Sequence, residues 1–328
     1  MNLIIPMAGK GTRLRPQTLV TPKPLIEIAG KTIIQRIVDL IINHSSNHIE
    51  NIGFIIQDPN EDVEKMLHLI GVKTNIKTHI FYQPKPRGTA HAIFCAKKIL
   101  TGETMIIFAD TLFEADIILP KDVDGSVFVQ EVENPSAYGV VKLNKQGEIT
   151  DFIEKPNELI SNLAIIGMYF FKDGQLLKNE IKNIIEENIM INGEYQITTV
   201  LENLKNKNYV FKPHKIRKWL DFGNPTNLLE SHKEILKNQD HTNIKYKNTT
   251  IIPPCYIGKN VIIKNSTIGP NVSVGSGSTI QSSNISNTIV QSNSNIRSAN
   301  FKQSIIGSYV EYDGNHSIVN IGDYSTFK

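Results

Sequence analysis

Residues 7–16 read Met-Ala-Gly-Lys-Gly-Thr-Arg-Leu-Arg-Pro, and residues 21–25 read Thr-Pro-Lys-Pro-Leu. Residues 2–6, just before them, form a short apolar run that is typical of a buried parallel strand. Residues 31–42, which follow, place aliphatic side chains at helical spacing and predict a helix. A strand that runs into a glycine-containing loop presents backbone N–H groups to a phosphate chain.

The loop also carries side chains suited to binding phosphate. Gly9 and Gly11 leave its backbone open to a ligand, and Thr12, Arg13 and Lys23 add donors and positive charge. Two prolines restrict the backbone on either side of the lysine. The loop lacks the third glycine of a dinucleotide fingerprint and the Gly-Lys-Ser/Thr of a P-loop. Taken alone, the Gly-Lys-Gly-Thr-Arg pentamer is equally consistent with a surface turn.

Composition places the chain among ordinary globular proteins. It has 328 residues, 40% of them hydrophobic, and a length that predicts two domains. A net charge of +3 is too small to indicate binding to nucleic acid or to a membrane surface. Cys95 and Cys255 are far apart and predict free thiols in a reducing compartment. With no leader-like segment and no membrane-length apolar run, we expect a cytoplasmic protein.

Strand-like and helical patterns alternate through the first half of the chain. This alternation predicts a doubly wound, mostly parallel sheet that binds ligands at the carboxyl ends of its strands. Residues 125–172 are richer in strands and predict a mixed sheet. The predicted strands are 52–57, 77–83, 104–109, 126–132, 138–143, 149–154 and 164–171, and the predicted helices are 61–70, 88–100, 174–188, 195–205 and 225–237.

The composition changes after residue 237. Residues 238–248 are polar and predict a linker between a domain of residues 1–237 and one of residues 249–328. In the second domain an aliphatic residue recurs about every six positions, often followed by glycine. This pattern resembles the hexapeptide repeat of left-handed parallel β-helices. An irregular β-rich tail is the alternative, because the phase slips after Ile280.

The loop at residues 9–16, paired with Pro-Lys-Pro-Leu at residues 22–25, resembles the signature of the sugar-1-phosphate nucleotidyltransferases, or NDP-sugar pyrophosphorylases. The resemblance implies an α/β, Rossmann-like nucleotidyltransferase domain with a mixed, mostly parallel sheet. β-Helical tails are known in this family, which supports a short left-handed parallel β-helix after that domain. The implied substrates are a nucleoside triphosphate and a sugar-1-phosphate, and the implied cofactor is Mg²⁺.

The resemblance also implies roles for single residues. Asp110 and Asp221 match the metal ligands of the family, and His91 is interpreted as structural. The nucleotide-binding residues would be Ala8, Gly9, Gly11, Thr12 and Arg13 at the phosphates and Gln83 and Gly88 at the base.

The sugar-phosphate site would consist of Gly139, Glu154, Lys155 and Gly167. Arg13, Lys23 and Lys155 would be the catalytic residues, since their charges neutralise the reacting phosphates. Many relatives carry Asn where this chain has Ile165, so the identity of the sugar stays open.

The loop sequence and the short tail look most like bacterial glucose-1-phosphate thymidylyltransferases. We therefore expect glucose-1-phosphate and dTTP or UTP as substrates. A mannose-1-phosphate guanylyltransferase is one alternative, and a non-catalytic regulatory or scaffolding relative is an alternative of another class. A bifunctional uridylyl- and acetyltransferase is disfavoured by the short tail. Because an open β-helix leaves an edge suited to subunit contacts, we expect a homo-oligomer.

Overall fold

A computed structural model describes residues 1–45, 47–114, 117, 119, 122–156, 158–237 and 246–315. Up to residue 237, the described residues form six α-helices, α1 (Ile33–His44), α2 (Glu61–Thr74), α3 (Thr89–Cys95), α4 (Gly174–Glu186), α5 (Ile197–Asn206) and α6 (Pro225–Lys237). The same residues contain strands β1 (Asn2–Pro6), β2 (Glu27–Ile28), β3 (Lys31–Thr32), β4 (Asn51–Ile56), β5 (Lys77–Tyr82), β6 (Thr104–Ile107), β7 (Thr111–Glu114), β8 (Gly125–Glu131), β9 (Gly139–Leu143), β10 (Ile149–Glu154), β11 (Leu163–Phe171), β12 (Phe211–Lys215) and β13 (Lys218–Asp221).

The chain forms two compact units. The first consists of Met1–Lys10 and Ile33–Asp221, and the second of Gly11–Thr32 and the chain from Phe222 onward. The loop at residues 9–16, called the signature loop below, therefore begins in the first unit and continues in the second. The linker prediction falls largely on residues 238–245, which lie outside the described residues.

A mixed sheet forms the centre of the first unit. Its strand order is β10-β9-β11-β6-β1-β4-β5, with β8 paired to β11 and β12 paired to β8. Strands β1, β4, β5 and β6 are parallel, whereas β11 runs antiparallel to β6. This arrangement confirms the predicted α/β class, with a parallel half near the amino terminus and a mixed half beyond it.

Apolar periodicity and capping explain the helices on this sheet. α1 buries Ile33, Ile34 and Ile37 along one face, as a 3.6-residue repeat requires. Asn60 caps α2 by accepting a hydrogen bond from the Val63 N–H. The helix predicted for residues 88–100 ends earlier, at Cys95, because residues 96–99 continue in turns with hydrogen bonds three residues back.

The second unit contains a parallel β-helix of three sheets. Its strands are β14 (Thr250–Ile251), β15 (Cys255–Ile257), β16 (Ile262–Lys264), β17 (Thr267–Ile268), β18 (Val272–Val274), β19 (Thr279–Gln281), β20 (Asn284–Ser286), β21 (Thr288–Val290), β22 (Asn295–Arg297), β23 (Asn300–Lys302), β24 (Ile305–Ile306) and β25 (Glu311–Asp313). The sheets are β14-β17-β20-β23, β15-β18-β21-β24 and β16-β19-β22-β25. The predicted β-helix is thereby confirmed.

The β-helix also explains the phase slip in the repeat. Ile263 pairs with Ile280 and Ile280 with Ile296, so that successive coils are 17 and then 16 residues long rather than three hexapeptides. The corners shorten while the inward aliphatic side chains stay stacked and buried. Across the described residues, no helix has the length and apolar character that a bilayer span requires.

Candidate active site

The carboxyl edge of the parallel strands brings the start of the signature loop close to the segment after β6. The Ala109 N–H donates to the Pro6 carbonyl at 3.3 Å. The Phe108 N–H donates to the Gly167 carbonyl at 2.9 Å, which places a third strand at the same edge. Ligand-binding groups of α/β proteins gather at this edge, and Asp110 comes directly after it.

Two carboxylates are brought together by a pairing that the sequence did not predict. β7 and β13 run antiparallel, and their register sets Asp221 opposite Thr111, the residue after Asp110. Thr111 is buried and its hydroxyl donates to the Ile166 carbonyl at 2.8 Å, which holds this turn against β11.

The donor set fits Mg²⁺. Asp110 and Asp221 offer carboxylate oxygens, the ligands this ion prefers, and both side chains are half-buried. Among the described residues, no group of three or more His, Cys, Asp or Glu side chains could hold a metal ion. A magnesium ion held by two carboxylates would complete its coordination with water and ligand oxygens, as is usual for Mg²⁺.

Glu154 and Gly139 lie opposite each other where β9 and β10 pair. A Cβ at Gly139 would lie 3.2 Å from Glu154 Oε2, so the glycine keeps the carboxylate uncovered. The Thr198 hydroxyl donates to the same oxygen at 3.2 Å. Burial, together with the Glu154 charge, raises the pKa of Tyr169. Glu154 is therefore held in one orientation, with a carboxylate able to accept hydrogen bonds from hydroxyl groups.

Lys155 has an unusual backbone conformation for a lysine. Its φ is 44°, in the left-handed region that favours glycine. Its N–H donates to the Tyr138 carbonyl at 3.0 Å, and its side chain is exposed. A strained residue next to an oriented carboxylate indicates a functional constraint.

Gly167 interrupts the pairing of β11. The register between β11 and β8 shifts between Ile165 and Tyr169, and Gly167 has a φ of 78°. A Cβ there would lie 3.3 Å from the Phe108 Cβ. Ile165 is buried, with its Cδ1 3.3 Å from the position of a Cβ on Gly139. This apolar side chain offers a ligand no hydrogen bond.

Gln83 and Gly88 form a connected group with His91. Gln83 is buried, and its Nε2 donates to the Gly88 carbonyl at 3.1 Å and to His91 Nδ1 at 3.0 Å. Burial and the charge of Arg87 lower the pKa of His91, which favours the neutral ring that accepts this bond. Gly88 has a φ of 102°, and a Cβ there would lie 2.6 Å from the Tyr195 nitrogen, so a larger residue cannot be accommodated.

Ala8 and Gly9 follow β1 in the first unit. Ala8 packs against the core, whereas Gly9 is exposed and a Cβ on it would meet nothing within 4 Å. The backbone at Gly9 is therefore open to a ligand.

The second unit contains the other loop residues named above. Gly11 has a φ of 58°, and a Cβ there would lie 3.2 Å from the Lys23 Cβ. The Thr18 hydroxyl donates to the Gly11 carbonyl at 2.7 Å. Lys23 begins a 3₁₀ turn and is buried, whereas Thr12 and Arg13 are exposed.

Sequence reasoning missed Thr18 and Thr198 and gave His91 only a structural interpretation. Thr198 binds a carboxylate 44 residues away, and no local pattern encodes that contact. The role of His91 depends on its distance to Gln83, which the helix start at residue 89 alone does not reveal.

Comparison with known proteins identifies relatives of this chain. Residues 3–238 match a family model described as nucleotidyl transferase. The bifunctional protein GlmU of Methanococcus aeolicus is 34% identical over 266 residues, which is 80% of this chain and 59% of that protein. The catalytic subunit beta of the Drosophila melanogaster mannose-1-phosphate guanylyltransferase is 32% identical over 191 residues, 55% of this chain and 50% of that one. The chain spans little more than half the length of the curated GlmU relatives it matches.

A solved structure is also similar. The protein, from Bacillus anthracis, is described as a glucose-1-phosphate thymidylyltransferase in complex with sucrose. Its TM-score with this chain is 0.62 at 24% identity, and the match covers 74% of this chain and 98% of that one. The likeness at this identity shows a shared fold.

Proposed function

The chain belongs to the nucleotidyl transferase family, and on that premise we propose that it transfers a nucleotidyl group to a hexose-1-phosphate. The donor is a nucleoside triphosphate, and pyrophosphate is the second product. The observation that supports the proposal is the β7–β13 register, which sets Asp221 opposite Thr111, the residue that follows Asp110. The carboxyl edge of the sheet is where an α/β protein binds its ligands.

The reaction needs no nucleophilic side chain. An ionised oxygen of the sugar phosphate attacks the α-phosphorus of the triphosphate, and the bond from that phosphorus to the bridging oxygen of the leaving pyrophosphate breaks. The barrier comes from bringing two polyanions together while charge grows on the leaving group. Arg13, Lys23 and Lys155 supply fixed positive charge to lower that barrier, with Arg13 at the leaving phosphates and Lys155 at the incoming one.

Asp110 and Asp221 would hold Mg²⁺, which when bound adds charge neutralisation at the phosphates. Glu154, oriented by the hydroxyl of Thr198, would accept hydrogen bonds from sugar hydroxyls. A Cβ at Gly139 would press on Glu154 and one at Gly167 would press on Phe108, so both positions favour glycine.

The hydrogen bonds of Gln83 leave one of its atoms for a nucleobase. Both hydrogens of its amide are committed, one to Gly88 and one to His91, so its oxygen is the atom that can accept a hydrogen bond from a ligand. Uracil and thymine can donate a ring N–H to it, and adenine and cytosine can donate an exocyclic amino group, so this oxygen alone does not select the base. We propose dTTP or UTP as the donor and glucose-1-phosphate as the acceptor because the loop sequence looks most like that of glucose-1-phosphate thymidylyltransferases.

Guanine can likewise donate a ring N–H, and mannose-1-phosphate guanylyl transfer is the second candidate. A relative with that printed name supports it. A cytoplasmic location is part of the proposal, because Cys95 and Cys255 are both free thiols. So is a homo-oligomer assembled through the β-helix, and a monomer by light scattering would contradict that assembly.

The experiment is a grid of pyrophosphate release with Mg²⁺. Five nucleoside triphosphates (dTTP, UTP, GTP, CTP and ATP) are crossed with glucose-, mannose-, galactose- and N-acetylglucosamine-1-phosphate. Activity with dTTP or UTP and glucose-1-phosphate supports the proposal, and activity only with GTP and mannose-1-phosphate favours the second candidate. A blank grid from folded protein favours the non-catalytic alternative.

Two variants, assayed with the substrate pair that is active in the grid, test the roles proposed for Asp110 and Lys23. Asp110→Ala and Lys23→Ala should each lose at least about 100–1,000-fold in rate, as removal of a preorganised charge contact does. Near-normal turnover in either variant would remove that residue from the mechanism.

A further inference from the structure

The signature segment Gly11–Thr32 belongs to the same compact unit as the β-helix. More than 260 residues of sequence separate the two, yet the structure connects them through side-chain hydrogen bonds. The two parts of the chain therefore form one folded body.

Two anchors connect the segment to the β-helix. In the first, Gln291 Nε2 donates to the Glu27 carbonyl at 2.8 Å, and the Ser292 hydroxyl donates to Glu27 Oε2 at 3.2 Å. In the second, Gln17 Nε2 donates to the Ile305 carbonyl at 3.0 Å. Both anchors are part-buried, so water competes with them less than it does on an open surface.

A third contact is steric. β2 and β3 form a hairpin whose two turn residues, Ala29 and Gly30, have φ of 46° and 78°, as a type I′ turn requires. A Cβ on Gly30 would overlap the hydroxyl of Tyr256. The hairpin tip therefore lies directly against the β-helix.

All three contacts fall on one face of the β-helix. Tyr256 is in β15, Ile305 is in β24, and Gln291 directly follows β21; these three strands belong to the sheet β15-β18-β21-β24. Neighbouring strands are about 4.8 Å apart, so the contacts extend over about 14 Å along that face. The segment follows the face rather than touching it at one point.

The anchors lie close in sequence to the charged residues of the loop. Glu27 comes four residues after Lys23, and the Ile26 N–H donates to the Lys23 carbonyl at 3.1 Å. Gln17 comes four residues after Arg13, and the neighbouring Thr18 donates to Gly11 at 2.7 Å. A displacement of Glu27 would therefore also shift Lys23, and a displacement of Gln17 would also shift Arg13.

We propose that the β-helix is a positioning element for the signature loop, with Gln291 and Gln17 as positioning residues for Lys23 and Arg13. This inference rests on the proposed function, in which those two cations bind phosphate. A misplaced cation binds the triphosphate more weakly, because positive charge acts on a phosphate only when it is already in place.

The test replaces Gln291 by leucine, which keeps the size of the side chain and removes the donor. Gln281→Leu is the matched control, because Gln281 lies in β19 on a different face of the β-helix. Loss of one hydrogen bond should raise the KM for the nucleoside triphosphate about three- to tenfold. The KM for the sugar phosphate should stay unchanged, whereas partial unfolding would lower kcat and leave both KM values unchanged.

A second measurement does not depend on activity. Trypsin cleavage after Lys10 and Arg13 requires the loop to open, so its rate reports the anchoring directly. Gln291→Leu should be cut about three- to tenfold faster than the wild type, and Gln17→Leu should show the same change from the other anchor. The control should match the wild type in both assays.

The outcomes separate the two proposals. Wild-type KM and cleavage rate in both Gln291→Leu and Gln17→Leu would overturn the positioning role and leave the proposed function intact. A wild type inactive across the whole grid would remove the proposed function, and with it the catalytic part of this inference. Faster cleavage in an inactive protein would retain only the anchoring of the loop by the β-helix.

Discussion

Replacing Lys155 with glycine should raise the stability of the protein while lowering its activity. Lys155 has a φ of 44°, where a residue with a Cβ pays about 1–3 kcal/mol. Glycine relieves that strain but loses about 0.5–1 kcal/mol through its more flexible unfolded chain. The net expectation is about 1 kcal/mol of added stability. Loss of the ammonium group should lower the rate about 100–1,000-fold.

Lys155→Ala separates the two effects. Alanine retains the strained Cβ, so its stability should lie within about 0.5 kcal/mol of the wild type, while its rate should fall as far as that of the glycine variant. Lys142→Ala is the control for charge, since Lys142 is an exposed lysine of β9. It should leave the rate unchanged.

Urea titration gives the free energies of unfolding, and pyrophosphate release with the active pair of substrates gives the rates. A glycine variant less stable than the alanine variant would refute the strain argument. Near-normal turnover in both Lys155 variants would refute the role of the charge. The stability measurement tests only the backbone strain, and the rate measurement tests only the role of the charge.

Two further predictions test the nucleotide end of the site. Gly9→Ala should leave stability unchanged, because a Cβ there meets nothing within 4 Å, but should raise the KM for the nucleoside triphosphate about tenfold if phosphates lie against it. Gly307→Ala is the control and should change neither, because a Cβ there would meet only Val310 Cγ2, at 3.8 Å. Burial and Arg87 hold the pKa of His91 below 6.5, so its acceptor bond from Gln83 is present at neutral pH and is lost as the pH falls through that lowered value. The KM for the nucleoside triphosphate should therefore rise at acidic pH. His91→Gln keeps an acceptor at every pH, so its KM should rise less than that of the wild type. If the KM of both proteins depended on pH in the same way, the role of His91 would be contradicted.

Many elements of residues 1–237 could be predicted from local patterns. The strand at residues 149–154 and the helix at residues 225–237 were predicted with the bounds that the structure shows. Both depend on periodicity and caps within a few residues, which the sequence displays directly. The predicted roles of the site residues remain predictions, since the structure shows where they lie and not what they bind.

Other elements could not be predicted, because their partners are distant. β7 is four residues long and pairs with β13 more than a hundred residues later. Alone, such a short apolar run is indistinguishable from a turn after a buried strand. The adjacency of Asp110 and Asp221 depends on that pairing and on nothing local.

The sequence by itself determined the glycine-rich loop, the α/β alternation and the hexapeptide beat, because each is a pattern of neighbouring residues. Only the tertiary structure decided that Gly11–Thr32 packs with the β-helix and that coils of 17 and 16 residues accommodate the phase slip. The physical reason is the distance along the chain between the residues that interact. Local periodicity follows from backbone geometry over one or two turns, whereas the anchor between Glu27 and Gln291 forms only when the whole chain has folded.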